Sequence, residues 1–362
     1  MRYNSNGGYM TRMYRAAILL IVILLSSCDT SSPVSMSGDI TLLSKGVFIV
    51  NEGGFQKSEA SLSFYLPDSH KVYNNVFSKK NHRPLGDIGN DIAVYGNRIF
   101  IVVNNSNKIE VATADSLTSL GTLSLPDRNP YNIAIISDSK AYVTDYLTGS
   151  VTVFNPMTLQ ILTEISVGKN PKGIVVYNHK IYVCNSGDYS ADSTVSVIDP
   201  YTDVVIKTIT VGVSPNEIEY NDDGKLFVRC YGYSDWSDPS NDTPGQITVI
   251  DGTTDVVISG IDLPLSTFGH PGKMTISNNG YGYIIARDGI ARFDTKTYAV
   301  TDNSFLSRQA YSIAVDPYSQ LLYIGDAKDY QQPGQLVVYD KNALVQDSVT
   351  VGIIPGTIRF IY

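Results

Sequence analysis

Charge is what this sequence has least of. Only 17% of its 362 residues are Asp, Glu, Lys or Arg, and the 35 acids outnumber the 27 bases. A formal charge of −8 leaves no basic stripe for a phosphate backbone, which excludes nucleic acid as a partner. Histidine occurs four times, at His70, His82, His179 and His270, and cysteine three times. These residues are scattered along the chain, so no Cys/His set has the spacing of a zinc centre. No Gly-x-Ser-x-Gly segment supplies a nucleophile elbow. The gaps point away from catalysis and from a resident cofactor or metal, although a carboxylate site assembled from distant residues stays open. Helical periodicity is missing as well: no stretch keeps apolar residues three and four apart over several turns. The longest apolar run, Ala16 to Leu25, is shorter than the roughly 20 residues that cross a bilayer.

Tyrosine and a repeat stand in place of these features. There are 25 Tyr against 11 Phe and 1 Trp. A Gly, Pro or Ala lies three residues ahead of an apolar residue at Gly89-Asn-Asp-Ile92, Pro130-Tyr-Asn-Ile133, Pro171-Lys-Gly-Ile174 and Pro215-Asn-Glu-Ile218. It does so again at Pro271-Gly-Lys-Met274, Ala310-Tyr-Ser-Ile313 and Pro355-Gly-Thr-Ile358. The motif returns roughly every 40 residues, which is the length of one β-propeller blade. Within a unit, an apolar inner strand is followed by a polar turn and a second strand such as Ala141-Tyr-Val-Thr144. A loop, an alternating third strand such as Ser150-Val-Thr-Val-Phe154, an Asn-Pro or Asp-Pro turn and an outer strand complete it. Second strands begin near residues 47, 99, 141, 181, 226, 283 and 322, so there are seven units. The first lacks an inner strand, and Thr357-Ile-Arg-Phe-Ile361 is a spare one at the other end. The expectation is an all-β, seven-bladed β-propeller of four-stranded blades over residues 44–362, its ring closed by the C-terminal strand pairing into the N-terminal blade.

Residues 1–27 read as an export signal, with Arg12 and Arg15 ahead of the apolar run and Leu25-Ser-Ser-Cys28 after it. That ending is similar to a bacterial lipobox, which implies lipidation at Cys28, a membrane contact through the lipid, and a polar tether over residues 28–43. A plain transmembrane anchor is the alternative, and Met10 and Met13 leave the start of translation open. Asp29 leaves inner- against outer-membrane retention open. Cys184 and Cys230 occupy matching second strands offset by one residue, which predicts two buried thiols on opposite sheet faces rather than a bridge.

The loops after the second strands and the blade-to-blade connections share one face, around the mouth of the central channel. Their lengths vary, and long ordered loops are often functional. This upper face collects Tyr146, Tyr189, Tyr231, Tyr330 and the single Trp236. Arg128, Arg229, His270, Arg287 and Arg308 join them, with Gln331 and Gln332 beside Tyr330. Aromatics mixed with Arg are the composition of binding hot spots. Competing readings are that the tyrosines pack between blades, that Trp236 plugs the channel, and that the Asp-rich segment 235–242 binds calcium.

Asp199-Pro-Tyr-Thr-Asp-Val-Val-Ile-Lys-Thr-Ile-Thr-Val-Gly212 resembles the YVTN-type repeat of YncE-like seven-bladed propellers. Asn51-Glu-Gly-Gly-Phe55, Ala60-Ser-Leu-Ser-Phe-Tyr65, Asp326-Ala-Lys-Asp-Tyr-Gln-Gln332 and Val351-Gly-Ile-Ile-Pro-Gly356 resemble surface lipoproteins of gut-type Gram-negative bacteria. Some members of that group capture cobalamin for a TonB-dependent outer-membrane transporter. The resemblance implies a non-catalytic, monomeric, surface-exposed lipoprotein that binds cobalamin or a related corrinoid, with Tyr330, Gln331 and Gln332 inside the shared motif. The alternatives are a protein- or glycan-binding propeller and a propeller lyase or lactonase.

Overall fold

The computed structural model describes residues 45–188 and 191–362. The signal, Cys28, the tether and Tyr189 lie outside the described residues. Seven four-stranded antiparallel sheets are formed; six run inner to outer strand in sequence order, and the first takes its inner strand from the end of the chain. The inner strands are Pro355–Ile361 in blade 1, then Gly89–Tyr95, Pro130–Ser137, Pro171–Tyr177, Pro215–Tyr220, Met274–Ile276 and Ser312–Val315 in blades 2 to 7. The expected propeller is therefore present, with its expected number of blades.

Burial explains why the sequence patterns differ between strands. In blade 3 the third strand, Ser150–Phe154, is buried at every position, whereas the outer strand, Ile161–Ser166, is exposed at all but Ile165. Middle strands are covered on both faces by neighbouring blades, so they need no alternation. The lower-face turn between third and outer strands is an Asx turn. Asn155 Oδ1 accepts from the backbone N–H of Met157 at 2.8 Å and of Thr158 at 2.9 Å. Asp199, Asp251, Asp294 and Asp340 accept in the same way at the equivalent positions. A short polar side chain that satisfies the turn's own N–H groups is the reason these units end in Asn or Asp.

Adjacent blades are also locked by polar contacts at their lower edge. Tyr142 donates its hydroxyl to Asp203 at 2.8 Å and Lys140 Nζ reaches the other oxygen at 2.9 Å, joining blades 3 and 4. Tyr182 and Lys180 hold Asp255 of blade 5 at 2.5 and 2.6 Å. At the closing seam Tyr65 donates to Asp347, which His70 Nδ1 meets at 2.9 Å. The closure itself is the expected one. Gly46–Asn51 pairs with Pro355–Ile361, in register from Gly46↔Ile361 to Val50↔Thr357.

Two details differ from the sequence reading. Short helices occupy Val76–Asn81 and Leu265–Phe268, both too brief to leave a periodic signature. Cys184 and Cys230 are buried and unbridged as expected, but they share one core cluster. A one-residue offset does place them on opposite faces of their sheets; in consecutive blades, opposite faces are the pair that face each other.

Candidate functional site

A channel of about 450 Å³ runs between the inner strands. These strands have one edge with no partner strand, and their N–H groups need acceptors. Carboxylates from the preceding blade supply several of them. Asp91 Oδ2 accepts from Ile133 N at 3.1 Å, Glu217 Oε2 from Met274 N at 2.8 Å, and Glu219 Oε2 from Ile276 N at 2.7 Å. Cations balance them: Arg229 Nε donates to Glu217 at 2.9 Å, and Arg359 lies 3.6 Å from Asp91. The channel wall is thus polar and close to charge-neutral although it lies inside the ring.

Two clusters border the channel, and a third lies in the loop that follows Arg229. In the first, Glu52, just past Gly46–Asn51, accepts from the Tyr311 hydroxyl at 2.8 Å, and Lys273 Nζ donates to the Gly356 carbonyl at 2.6 Å. Burial raises the Glu52 carboxyl above its usual range, against the opposing pull of Lys273 and Tyr311. It raises the Tyr311 hydroxyl too, with the Glu52 charge adding to the effect. In the second, Tyr131 stacks on Tyr146 with centroids 6.2 Å apart, and Lys172 Nζ sits 5.4 and 5.5 Å from the two rings. Lys172 also pairs with Asp188 at 2.7 Å; burial lowers its ammonium despite that partner. In the third, the His270 ring stacks on Tyr231 at 4.6 Å. Its Nδ1 lies 3.1 Å from the Tyr231 carbonyl and its Nε2 3.2 Å from Asp242.

The residues singled out from the sequence divide accordingly. Arg229 lines the channel, and Tyr146, Tyr231 and His270 belong to the three clusters. Tyr330 meets Tyr311 edge-on at 5.7 Å. Arg128 is held by Asp145 and Glu164, and Arg308 by Asp326 and Gln335. Arg287 donates to the Leu265 carbonyl, outside the channel lining. Gln331 and Gln332 are exposed, and Asp329 caps their backbone N–H groups. Trp236 does not plug the channel: it is 84% exposed at the tip of its loop. Asp235 and Asp238 spend their oxygens on Ser237, Asn241 and Ser240 of the same loop, and no metal-binding cluster occurs among the described residues.

Tyr131, Tyr311, Lys172, Glu217, Glu219 and Lys273 were missed. The available signal was local: Tyr131 and Lys172 directly follow Pro130 and Pro171, Tyr311 follows Ala310, and Glu217 and Lys273 stand two residues after Pro215 and Pro271, where a buried strand would be apolar.

Residues 45–231 match the family described as Domain of unknown function (DUF5074), which is more than half of the chain. The chain belongs to the DUF5074 family. No curated protein matches it in sequence. Among solved structures it is similar to a candidate 6-phosphogluconolactonase from Bacteroides fragilis, with a TM-score of 0.68 at 12% identity, covering 88% of this chain and 98% of that one. It is also similar to a quinonprotein alcohol dehydrogenase-like protein from Bacteroides thetaiotaomicron, with a TM-score of 0.66 at 16% identity, covering 88% and 79%. Hydrazine synthase of Kuenenia stuttgartiensis matches with a TM-score of 0.57 at 18% identity, covering 72% and 84%. Identities this low carry the propeller fold and leave the ligand to the site itself.

Proposed function

We propose that this DUF5074 propeller captures a corrinoid-class ligand, cobalamin in the first instance, at the upper mouth of its channel, and hands it to a TonB-dependent outer-membrane transporter. The observation that carries the reading is the mouth itself: Tyr131 and Tyr311 line a polar well with Arg229 and Lys273, while Tyr146 and Lys172 lie against Tyr131 and Tyr330 meets Tyr311. A corrinoid is a broad plane fringed by neutral amides and carrying one phosphate. It wants flat aromatic faces, many neutral hydrogen bonds and one or two cations. Pockets that enclose drug-sized ligands span about 300–1,000 Å³, so this channel admits a pendant group while the macrocycle rests on the rim. Lipidation at Cys28 would hold the propeller at the cell surface, and protease shaving of intact cells tests that placement. Calorimetric titration with cyanocobalamin tests the binding. Saturable heat at micromolar protein is expected; none would discard the corrinoid.

A second reading, docking of a protein or glycan, draws on the exposed Phe55, Leu147 and Trp236 in the upper loops of blades 1, 3 and 5. It predicts that Phe55→Ser with Trp236→Ser abolishes attachment to the partner while leaving cyanocobalamin heat intact.

A further inference from the structure

Below the mouth, blade 5 turns three consecutive kinds of polar group towards the channel. Glu217 and Glu219 lie two apart on Pro215–Tyr220, hence on one face of the strand, and Asn216 directly precedes Glu217 where the strand's register shifts. Each carboxyl reaches a main-chain N–H of blade 6 through its Oε2. Asn216, a residue of the channel lining, has a buried Oδ1 with no hydrogen-bond partner, an acceptor that a turn of the side chain would bring to the channel. The two carboxyls are not equivalent. Glu217 is matched by the Arg229 guanidinium. Glu219 has no such partner, and burial, then the neighbouring Glu217 charge, pushes it up to about 8. At neutral pH the strand therefore presents one carboxylic acid, which donates, below two groups that accept.

That pattern is the complement of a primary amide, whose carbonyl accepts and whose two N–H bonds donate. The spacing agrees. Same-face residues stand about 7 Å apart along a strand, which two hydrogen bonds of about 2.8 Å and the width of an amide fill. We propose that the channel below the mouth is a primary-amide subsite, in which Glu219 donates to the amide carbonyl while Glu217 and Asn216 accept from its N–H groups. The subsite deepens the corrinoid reading and rests on it for the remainder of the ligand, since corrinoid side chains end in such amides. It would also reject the corresponding carboxylate, which brings a second negative charge beside Glu217 and cannot donate to Asn216.

Glu219 is read against its surroundings on every side. Glu217 is on its own strand and Arg229 on the next strand of blade 5, Lys273 and Thr275 come from blade 6, Arg359 from blade 1, and Asp91 from blade 2, where it meets Arg359. Arg359 and the Thr275 hydroxyl pull against the burial and the Glu217 charge. The test uses propionamide and propionate as probes of the whole mature chain, by ligand-observed NMR from pH 6 to pH 10. Propionamide should bind at least tenfold more tightly than propionate at pH 6.5, and its affinity should fall about tenfold as the pH rises through 8. Glu219→Gln keeps an acceptor for Ile276 and always donates through its amide, so it should bind propionamide with a flat pH profile. Equal binding of the two probes, or a flat profile in the natural protein, overturns the subsite, and that profile decides even if the variant does not fold. Cyanocobalamin heat alongside a flat amide profile removes the subsite alone; a sloping amide profile without cyanocobalamin heat supports the subsite and removes the corrinoid alone.

Discussion

At the scale of single residues, the channel concentrates groups whose protonation the fold has moved. Glu219 rises from 4.5 to about 8, so the folded chain holds a proton there that the unfolded chain has lost. The stabilisation is complete below pH 4.5 and disappears as pH climbs through 8. Screening by channel water reduces it to the order of 2 kcal/mol. Asp145, pushed up to about 6 by burial against the pull of Thr152 and Arg128, adds the same slope lower on the scale. The melting temperature should therefore decline from pH 6 to pH 9, and Glu219→Gln should flatten the upper part of that decline. A steeper decline in the variant would contradict the assignment. On the binding side, Tyr131→Ala removes one face of the Tyr131–Tyr146 stack and should weaken cyanocobalamin about tenfold, or roughly 1.4 kcal/mol, by calorimetry. Sequence reasoning found Tyr146 and Tyr231 because they follow second strands, and Arg229 because it stands near the end of one, beside a long loop. It passed over Tyr131 and Tyr311 because, in sequence, an inward tyrosine on an inner strand looks the same as one packed between blades.

Between elements, the lower-edge locks carry a definite cost if broken. Asp255 accepts from Tyr182 and Lys180, both of the preceding blade. Asp255→Ala leaves a buried hydroxyl and an ammonium without that acceptor and should destabilise by about 1–3 kcal/mol, read as a lower denaturation midpoint at unchanged slope. The long loop of blade 5 behaves differently. Its Asp235 and Asp238 build its turns, and His270 fastens it through Asp242, yet Trp236 points to solvent. The single indole should emit as a water-exposed one and be quenched readily by acrylamide; protection in the free protein would place it elsewhere. The loop's length was legible in the sequence. The direction of Trp236 was not, because aspartates folding the loop onto itself and aspartates awaiting calcium look alike until their partners are placed.

For the molecule as a whole, the ring was the most legible feature. The period of the blade-opening motif and the orphan strand Thr357–Ile361 together required seven blades and closure through Gly46–Asn51, and both are present. Removing residues 355–362 would expose the inner edge of blade 1 and should yield aggregated or protease-sensitive protein, far beyond the effect of an ordinary terminal trim. The fold could be read because repetition multiplies a weak signal. The site could not, because each blade contributes one or two side chains to it and none of them repeats. The most direct measurement of the central claim is a crystal structure of the mature chain grown with cyanocobalamin. The account predicts the macrocycle over the mouth, against Tyr131, Tyr311 and Tyr330, with a side-chain amide lowered toward Glu217 and Glu219. A macrocycle bound on the lower face, or an empty mouth at saturating ligand, would contradict it.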